Sequence, residues 1–117
     1  MNDPFLTNWV TQLRKGILEF CVLKVLEDAS VYGYDIVRQL RTLDVLVISE
    51  GTIYPILSRL RKEGLVKTYL EESPEGPARK YYQLTSRGKD MLGEMGRVWT
   101  SMTQGVENAP GMKGKPS

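Results

Sequence analysis

Residues 49–89 read SEGTIYPILSRLRKEGLVKTYLEESPEGPARKYYQLTSRGK, and this stretch decides the fold. Its first third predicts a helix, because apolar residues recur at positions i, i+3, i+4 and i+7. These residues are Ile53, Ile56, Leu57 and Leu60. We expect the Ser49 hydroxyl to cap the helix and Gly64 to end it. Because Pro55 removes one backbone hydrogen bond, we also expect a first turn that is distorted or starts late.

Two β-prone runs follow this helix, at residues 65–70 and 81–84, joined by the connection EESPEGPA. Its two prolines and Gly76 predict a turn that is too long for a two-residue hairpin. Thr85 then caps a further helix that begins near Ser86. A helix followed by a two-stranded ribbon is the layout of a winged helix. In that layout the helix can enter a DNA major groove, and the ribbon can reach an adjacent groove or the backbone.

The chain before this stretch predicts two more helices. The segment from Trp9 to Asp28 is apolar around most of its helical circumference, so it should be buried on more than one side. We expect its second buried side, which includes Trp9 and Leu13, to meet another subunit. A second helix is predicted from Gly33 to Leu43. The apolar connector LDVLVI at residues 43–48 has the composition of a short additional strand.

The C-terminal helix carries an apolar stripe whose spacing alternates between three and four residues over about two heptads. Its members are Leu92, Met95, Trp99, Met102 and Val106. A helix that projects beyond a winged-helix core has little intramolecular surface to cover such a stripe, so we expect dimerisation through it. Packing on the chain's own core is the alternative.

The predicted fold class is therefore α+β, mostly α: a winged helix-turn-helix with an N-terminal helix and a C-terminal dimerisation helix. We expect a winged-helix DNA-binding domain at residues 8–85 and the dimerisation helix at residues 86–107. Residues 108–117 are rich in Gly, Pro and Lys, which predicts a disordered tail.

Composition limits the classes of function. With 41% hydrophobic and 26% charged residues, the chain resembles an ordinary soluble globular protein. It has no apolar run of about 18 residues and no signal-peptide pattern, so we expect no membrane partner. It contains no His and a single Cys, Cys21, which excludes zinc sites and His-dependent catalytic triads. We therefore expect no metal, no cofactor and no enzymatic activity. A lone cysteine is typical of a reducing cytoplasm.

Charge is informative only locally, because the net charge is +2. One basic cluster consists of Arg59, Arg61, Lys62 and Lys67, and a second consists of Arg79, Lys80, Arg87 and Lys89. These clusters flank the predicted helix and ribbon. The polar helix face adds hydroxyl donors for phosphates or base edges at Thr52 and Ser58. Between the clusters, Glu71, Glu72 and Glu75 indicate that the ribbon's tip does not press on phosphates. A merely solvated face is the alternative.

Four stretches resemble the PadR-like transcriptional regulators, in their short form with one C-terminal helix. They are GILEFCVLKVL, YGYDIVRQL, SEGTIYPILSRLRKEGLV and EGPARKYYQLTSRGKDML, and the resemblance as a whole extends in register over about residues 14 to 106. The resemblance implies a homodimer that binds a pseudo-palindromic, double-stranded DNA operator, usually as a repressor. It also implies that Tyr32, Gly33 and Tyr34 form a structural turn.

The resemblance also implies which residues meet DNA. In the family, the helix that bears a T-x-Y-P pattern is the recognition helix, and the wing bears an R-K-Y-Y pattern. Carried over, these patterns point to Thr52, Tyr54 and Pro55, with Ser49, Ser58 and Arg59 nearby, and to Arg79 and Lys80 on the wing. Lys62 joins this set from its place on the polar helix face.

Some members of the family bind flat aromatic effectors at the dimer interface, in one branch through a Trp on the final helix. Trp99 occupies the corresponding position here. Two Trp99 rings near a dimer axis would either stack on each other or leave a slot for a planar ligand, with Met95 and Met102 as adaptable walls. Interface packing alone is the alternative role for Trp99. A winged-helix module that binds a ligand or a protein but not DNA is the alternative function.

Overall fold

A computed structural model describes residues 3–43, 49–111 and 115 of the chain. In chain order the elements are α1 (Pro4–Val25), β1 (Val31–Tyr32), α2 (Gly33–Leu40), α3 (Glu50–Lys62), β2 (Val66–Ser73), β3 (Gly76–Leu84) and α4 (Ser86–Asn108). The predicted class, α+β and mostly helical, is confirmed. Residues 44–48 of the connector LDVLVI, in which a strand was expected, lie outside the described residues.

Helix α1 begins five residues earlier than the predicted start at Trp9. The Asp3 carboxylate accepts a hydrogen bond from the backbone N–H of Phe5 at 2.8 Å, and Pro4 occupies the first helical position. Proline is favoured there because its fixed φ suits the helix and its missing N–H would have no partner. At the other end, α1 stops at Val25 and α2 stops at Leu40, each three residues before the predicted end.

The sheet has three antiparallel strands in the order β1-β3-β2. The two-residue strand β1 was not predicted, because so short a segment carries no periodicity of its own. Its register places Tyr32 opposite Tyr81, which in turn lies opposite Tyr69 on β2. The Tyr69 and Tyr81 rings stack with centroids 5.5 Å apart, and the Tyr32 and Tyr81 centroids are 6.0 Å apart. This row of tyrosines joins all three strands.

The prediction of a long connection between the two ribbon strands is wrong. Ser73 pairs with Gly76, so Pro74 and Glu75 alone form the turn of the β2–β3 hairpin. A register shift between Glu71 and Ser73 absorbs one residue. Pro77 is tolerated in β3 because it lies beyond β1, where only one side of the strand is paired. Composition alone assigned these residues to a loop, whereas the strand ladder continues through them.

The hydrophobic core lies between the three N-terminal helices and the inner face of the sheet. Its fully buried side chains are Val22, Leu23, Leu26, Ile36, Val37, Leu40, Ile53 and Leu57. Leu92 at the start of α4 joins this core and is only 4% exposed. A side chain already covered within one chain has almost no surface left for a partner, and the assignment of Leu92 to the dimer interface stays a prediction.

A tight joint connects the end of α3, the base of the hairpin and the start of α4. Gly64 has a φ of 77°, and the Leu65 N–H donates to the Leu60 carbonyl at 3.0 Å, which completes a glycine-terminated helix end. The Thr85 hydroxyl accepts from the Gly88 N–H at 2.9 Å and donates to the Gly64 carbonyl at 2.6 Å. The predicted roles of Gly64 and Thr85 and the helix start at Ser86 are confirmed.

Gly88 is required at this joint by close packing. A Cβ atom at position 88 would lie 1.9 Å from the Leu65 carbonyl oxygen, a separation that no side chain can occupy. That oxygen also accepts a hydrogen bond from the Thr85 N–H at 3.1 Å. The hairpin base and α4 are therefore in direct backbone contact.

The chain is elongated, with principal extents of 68 × 35 × 21 Å and a radius of gyration of 17.8 Å. A compact domain of about this length has a radius of gyration of about 13 Å. The radius of gyration is larger here because the N-terminal part of α1 and the C-terminal part of α4 extend beyond the core, where their side chains are mostly exposed. Among the helices that the structure describes, none is both long and apolar enough to cross a membrane.

Candidate nucleic-acid interface

Helix α3 presents a narrow outward ridge. Its buried residues are Ile53, Leu57 and Leu60, which pack on the core. Successive residues in a helix are turned by about 100°. The opposite side of α3 is therefore the outward ridge, defined as Gly51, Pro55, Ser58 and Lys62, all of which are exposed. Three of the predicted DNA-binding residues, Pro55, Ser58 and Lys62, lie on this ridge.

The first turn of α3 differs from the expectation. Ser49 is the residue before the helix, but its hydroxyl lies 3.0 Å from the Thr52 hydroxyl instead of a backbone N–H of the first turn. The helix starts at Glu50, so the late start expected from Pro55 is wrong. Pro55 forgoes a single bond to the carbonyl of Gly51, which is exposed, and water can satisfy an exposed helical carbonyl.

One flank of α3 faces α2 and the sheet through Tyr54. A Cβ atom at Gly33 would lie 3.3 Å from Tyr54 Cε1 and 3.1 Å from Tyr82 Cε1, so both rings press on this glycine. Burial raises the pKa of Tyr54, and nearby Glu50 raises it further. Burial likewise raises the pKa of Tyr82, and Arg61 partly offsets that effect. Tyr54 therefore holds α3 against α2 through its contact with Gly33, and its exposed part lies beside the outward ridge.

The other flank of α3 faces α1 through Arg59. Its guanidinium forms an ion pair with the Glu19 carboxylate, and the two side chains are 66% and 28% exposed respectively. The structure therefore gives this predicted DNA-binding cation an acidic partner within the chain. The sequence signal for the pair was weak, because 40 residues separate its two members and no local pattern connects them.

The two predicted cations of the hairpin lie on opposite faces of β3. Side chains alternate along a strand, and Tyr82 and Leu84 are buried, so Lys80 shares their face. Arg79 lies on the outer face, where its guanidinium carbon is 5.1 Å from the Tyr32 ring centroid. Both side chains are exposed, but they do not form one patch. Arg79 also lies opposite Glu71 in the strand register.

Two residues near this surface were not among the predicted site residues. Arg61, which the sequence placed in the first basic cluster but not among the site residues, lies seven positions after Tyr54 on the same flank of α3. Tyr34 at the start of α2 is exposed and lies 6.4 Å from the Tyr32 ring, between centroids. Its position follows from the packing of α2 on Tyr54, a tertiary contact for which the sequence carried no signal.

An apolar groove of about 480 Å³ lies between α1 and α4. Its lining includes Leu13, Ile17, Phe20, Met95, Trp99 and Met102. The Phe20 and Trp99 rings are 6.0 Å apart between centroids. The three residues that we expected to bind a ligand, Met95, Trp99 and Met102, therefore line one groove. Cys21 packs nearby against the core, where burial raises the pKa of its thiol.

The helices, the short sheet and the outward third helix together define a winged-helix domain. Comparison with known proteins supports the same conclusion, since residues 22–94 match the model of the transcriptional regulator PadR-like family. The chain belongs to the PadR-like family of transcriptional regulators. Members of that family are regulators and not enzymes, in agreement with the sequence prediction.

Several solved structures are similar along most of the chain. A PadR-like transcriptional regulator from Bacillus cereus is 38% identical with a TM-score of 0.76, and covers 89% of this chain and 99% of its own. A PadR family regulator from Eggerthella lenta is 31% identical with a TM-score of 0.77, over 88% of this chain and 89% of its own. In a comparison of sequences, an uncharacterized protein of Lysinibacillus sphaericus is 30% identical to this chain, over 80% of this chain and 87% of its own length.

Bacillus subtilis PadR, solved in complex with operator DNA, is 23% identical with a TM-score of 0.61. The matched region covers 86% of this chain and 53% of the Bacillus subtilis protein. This likeness concerns the fold.

Proposed function

We propose that the chain is a transcriptional repressor that acts in the cytoplasm and binds a pseudo-palindromic operator as a homodimer. The observation that carries the proposal is the outward ridge of α3, exposed along its length with the β2–β3 hairpin beyond it. A helix of this kind fits the major groove, and the hairpin reaches the neighbouring backbone. The family supports a role in transcription, and a protein of the same fold has been solved with operator DNA.

Phosphate contacts are assigned to cations around this ridge. Lys62 lies on the ridge itself, and Arg79 and Lys80 lie on the hairpin. Because Arg79 and Lys80 point to opposite faces of β3, each contacts a phosphate on its own side of the hairpin. The acidic residues Glu71 and Glu75 keep the tip of the hairpin away from phosphates by charge repulsion.

A second copy of the chain is the proposed cover for the projecting parts of α1 and α4. These parts expose a large set of apolar side chains, namely Phe5, Leu6, Trp9, Leu13, Val98, Trp99, Met102 and Val106. Large exposed apolar surfaces on soluble proteins usually mark an interaction site. A two-fold dimer buries the same patch on both subunits and matches the symmetry of a palindromic site.

The α1–α4 groove is the proposed effector site. Its volume of about 480 Å³ falls in the usual range for small-molecule sites. Trp99 and Phe20 offer aromatic faces for a planar aromatic ligand, and Met95 and Met102 adapt to its outline. A ligand that favours a different dimer geometry would change the distance between the two α3 helices and so release the operator.

Electrophoretic shifts with genomic fragments, measured at several salt concentrations, test this function. Loss of one phosphate contact flattens the slope of log affinity against log salt by about one unit, so Arg79→Ala and Lys80→Ala should each do this. Glu71→Gln and Glu75→Gln are matched controls that should leave affinity equal or raise it. A wild-type chain that binds no fragment at low salt would favour a module that binds a ligand or a protein but not DNA. The acidic hairpin tip is the observation on which that second candidate rests.

A further inference from the structure

The outward ridge of α3 has an unusual chemical composition for a surface that reads DNA. Gly51 offers no side chain, Pro55 offers an apolar ring, and Ser58 offers a single hydroxyl. Lys62 is the last helical residue, at the far end of the ridge. Direct recognition of guanine or adenine usually relies on bidentate contacts from Arg, Asn or Gln. The ridge carries none of these residue types.

Several polar side chains beside the ridge have partners within the protein, whereas Arg61 on the Tyr54 flank is exposed. Arg59 is paired with Glu19. The Ser49 and Thr52 hydroxyls lie 3.0 Å apart, so one of them donates a hydrogen bond to the other. The Tyr54 ring packs against Gly33. Between Gly51 and Ser58 the ridge itself therefore offers mainly shape and apolar surface.

Gly51 leaves clear space on the ridge that the fold does not need. Among the residues that the structure describes, a Cβ atom at this position would meet only the Ser49 hydroxyl oxygen, at 3.8 Å. Glycine inside a helix costs about 1 kcal/mol relative to alanine. Gly51 lies one helical turn before Pro55, so the missing side chain forms a shallow notch whose far wall is the pyrrolidine ring.

We propose that Gly51 and Pro55 form a site for the 5-methyl group of thymine in the major groove. The proposal rests on the operator binding proposed above. The thymine methyl is the one apolar feature that base edges present in this groove, and apolar side chains recognise it by direct contact. The ring of Pro55 has no N–H, so burying it against a methyl group leaves no donor without a partner. One or two thymines in each half-site are thereby fixed by their methyl groups.

The test removes that methyl group and nothing else. Each thymine of an operator selected from a random DNA pool is replaced in turn by uracil, and binding is measured for the wild-type protein and for Pro55→Ala. Loss of one buried methyl contact changes an equilibrium constant by about fourfold. We expect a loss of that size at one or two thymines per half-site, and we expect it to disappear in Pro55→Ala. Thymines outside the operator serve as the DNA control.

Two further variants separate this contact from general weakening. Gly51→Ala fills the notch, so it should weaken binding to the thymine operator more than binding to the uracil operator. Ser58→Ala is the matched control, because it shortens a neighbouring ridge residue and should keep the uracil penalty. Melting temperatures verify folding, and neither Pro55→Ala nor Gly51→Ala should lower them, since alanine favours the helix.

The outcomes distinguish two failures. Uracil substitution without effect at any position overturns the inference, and so does a penalty that is unchanged in Pro55→Ala. In both cases the protein still binds its operator and the proposed function stands. If the wild-type protein binds no duplex, the proposed function fails and the thymine site fails with it.

Discussion

Glu19 on α1 forms an ion pair with Arg59 on α3, so a residue beside the α1–α4 groove is joined to a cation on the exposed side of α3. Its neighbour in the chain, Phe20, packs on Trp99 in that groove. The carboxylate is the more sheltered partner, whereas the guanidinium is mostly exposed. A phosphate of the operator would therefore compete with Glu19 for the same guanidinium.

Replacing Glu19 by Gln should strengthen operator binding. Partly exposed ion pairs of this kind contribute about 0.2–1 kcal/mol, so freeing Arg59 should raise affinity by up to about fivefold. Fluorescence anisotropy with a labelled operator measures the change. Glu27→Gln is the control, because it alters net charge equally but removes an exposed carboxylate paired with Lys24. An equal gain in Glu27→Gln, or a gain that persists in an Arg59→Ala background, would contradict this prediction.

Charge placed on the exposed stripe of α4 should produce a monomer. Met102 and Val106 are 63% and 77% exposed in the single chain, so aspartate at either position is compatible with folding. In a dimer the same carboxylates would be buried without partners, at a cost of several kcal/mol. Light scattering should report monomer for Met102→Asp with Val106→Asp. Gln104 lies on the face of α4 that does not line the groove, so Gln104→Asp should remain a dimer. A wild-type chain that is already monomeric at micromolar concentration would rule out the dimer.

Gly88→Ala should destabilise the fold. The added methyl group would overlap the Leu65 carbonyl, and relieving such overpacking costs about 1–3 kcal/mol. Thermal unfolding followed by circular dichroism should show a melting temperature at least about 4 °C lower. Gly93→Ala is the matched variant in the same helix, where the new atom would meet only Arg97 Nη1 at 3.9 Å. It should stabilise the chain by up to about 1 kcal/mol. Equal melting temperatures for the two variants would refute the close contact.

Planar cationic dyes should quench Trp99 and raise the melting temperature. The aromatic faces in the α1–α4 groove favour offset stacking, and a positive charge adds cation–π attraction. The measurement belongs in a Trp9→Phe background, so that Trp99 is the only fluorescent tryptophan. Trp99→Phe in the native background controls for quenching of Trp9. If neither the emission nor the melting temperature changes at high micromolar dye, Trp99 has only a packing role.

Local sequence signals predicted much of the winged-helix domain. The period of the apolar residues identified α3, Gly64 marked its end, and Thr85 marked the start of α4. Each of these signals acts within a few residues, where backbone and side chain dictate the outcome directly. The two-residue turn and strand β1 were missed because both depend on partner strands. The sequence did not show that Leu92, in the second turn of α4, packs on the core, because its spacing continues the exposed stripe.

The candidate site was predicted in part. The sequence identified residues of the outward ridge, since position on a helix face follows from spacing alone. It did not indicate that Arg59 is held by Glu19 or that Tyr54 packs on Gly33, because these contacts join distant parts of the chain. The opposite directions of Arg79 and Lys80 could have been predicted, since neighbouring residues on a strand always face opposite ways.

The backbone contact between Gly88 and Leu65 has a mechanical consequence. With no side chain between them, the hairpin base and the first turn of α4 are in direct backbone contact, so we expect the hairpin to move together with the helix. Helix α4 has 23 residues and is about 34 Å long. A tilt of the first turn of α4 by about 5° would therefore displace the C-terminal end of the helix by about 3 Å.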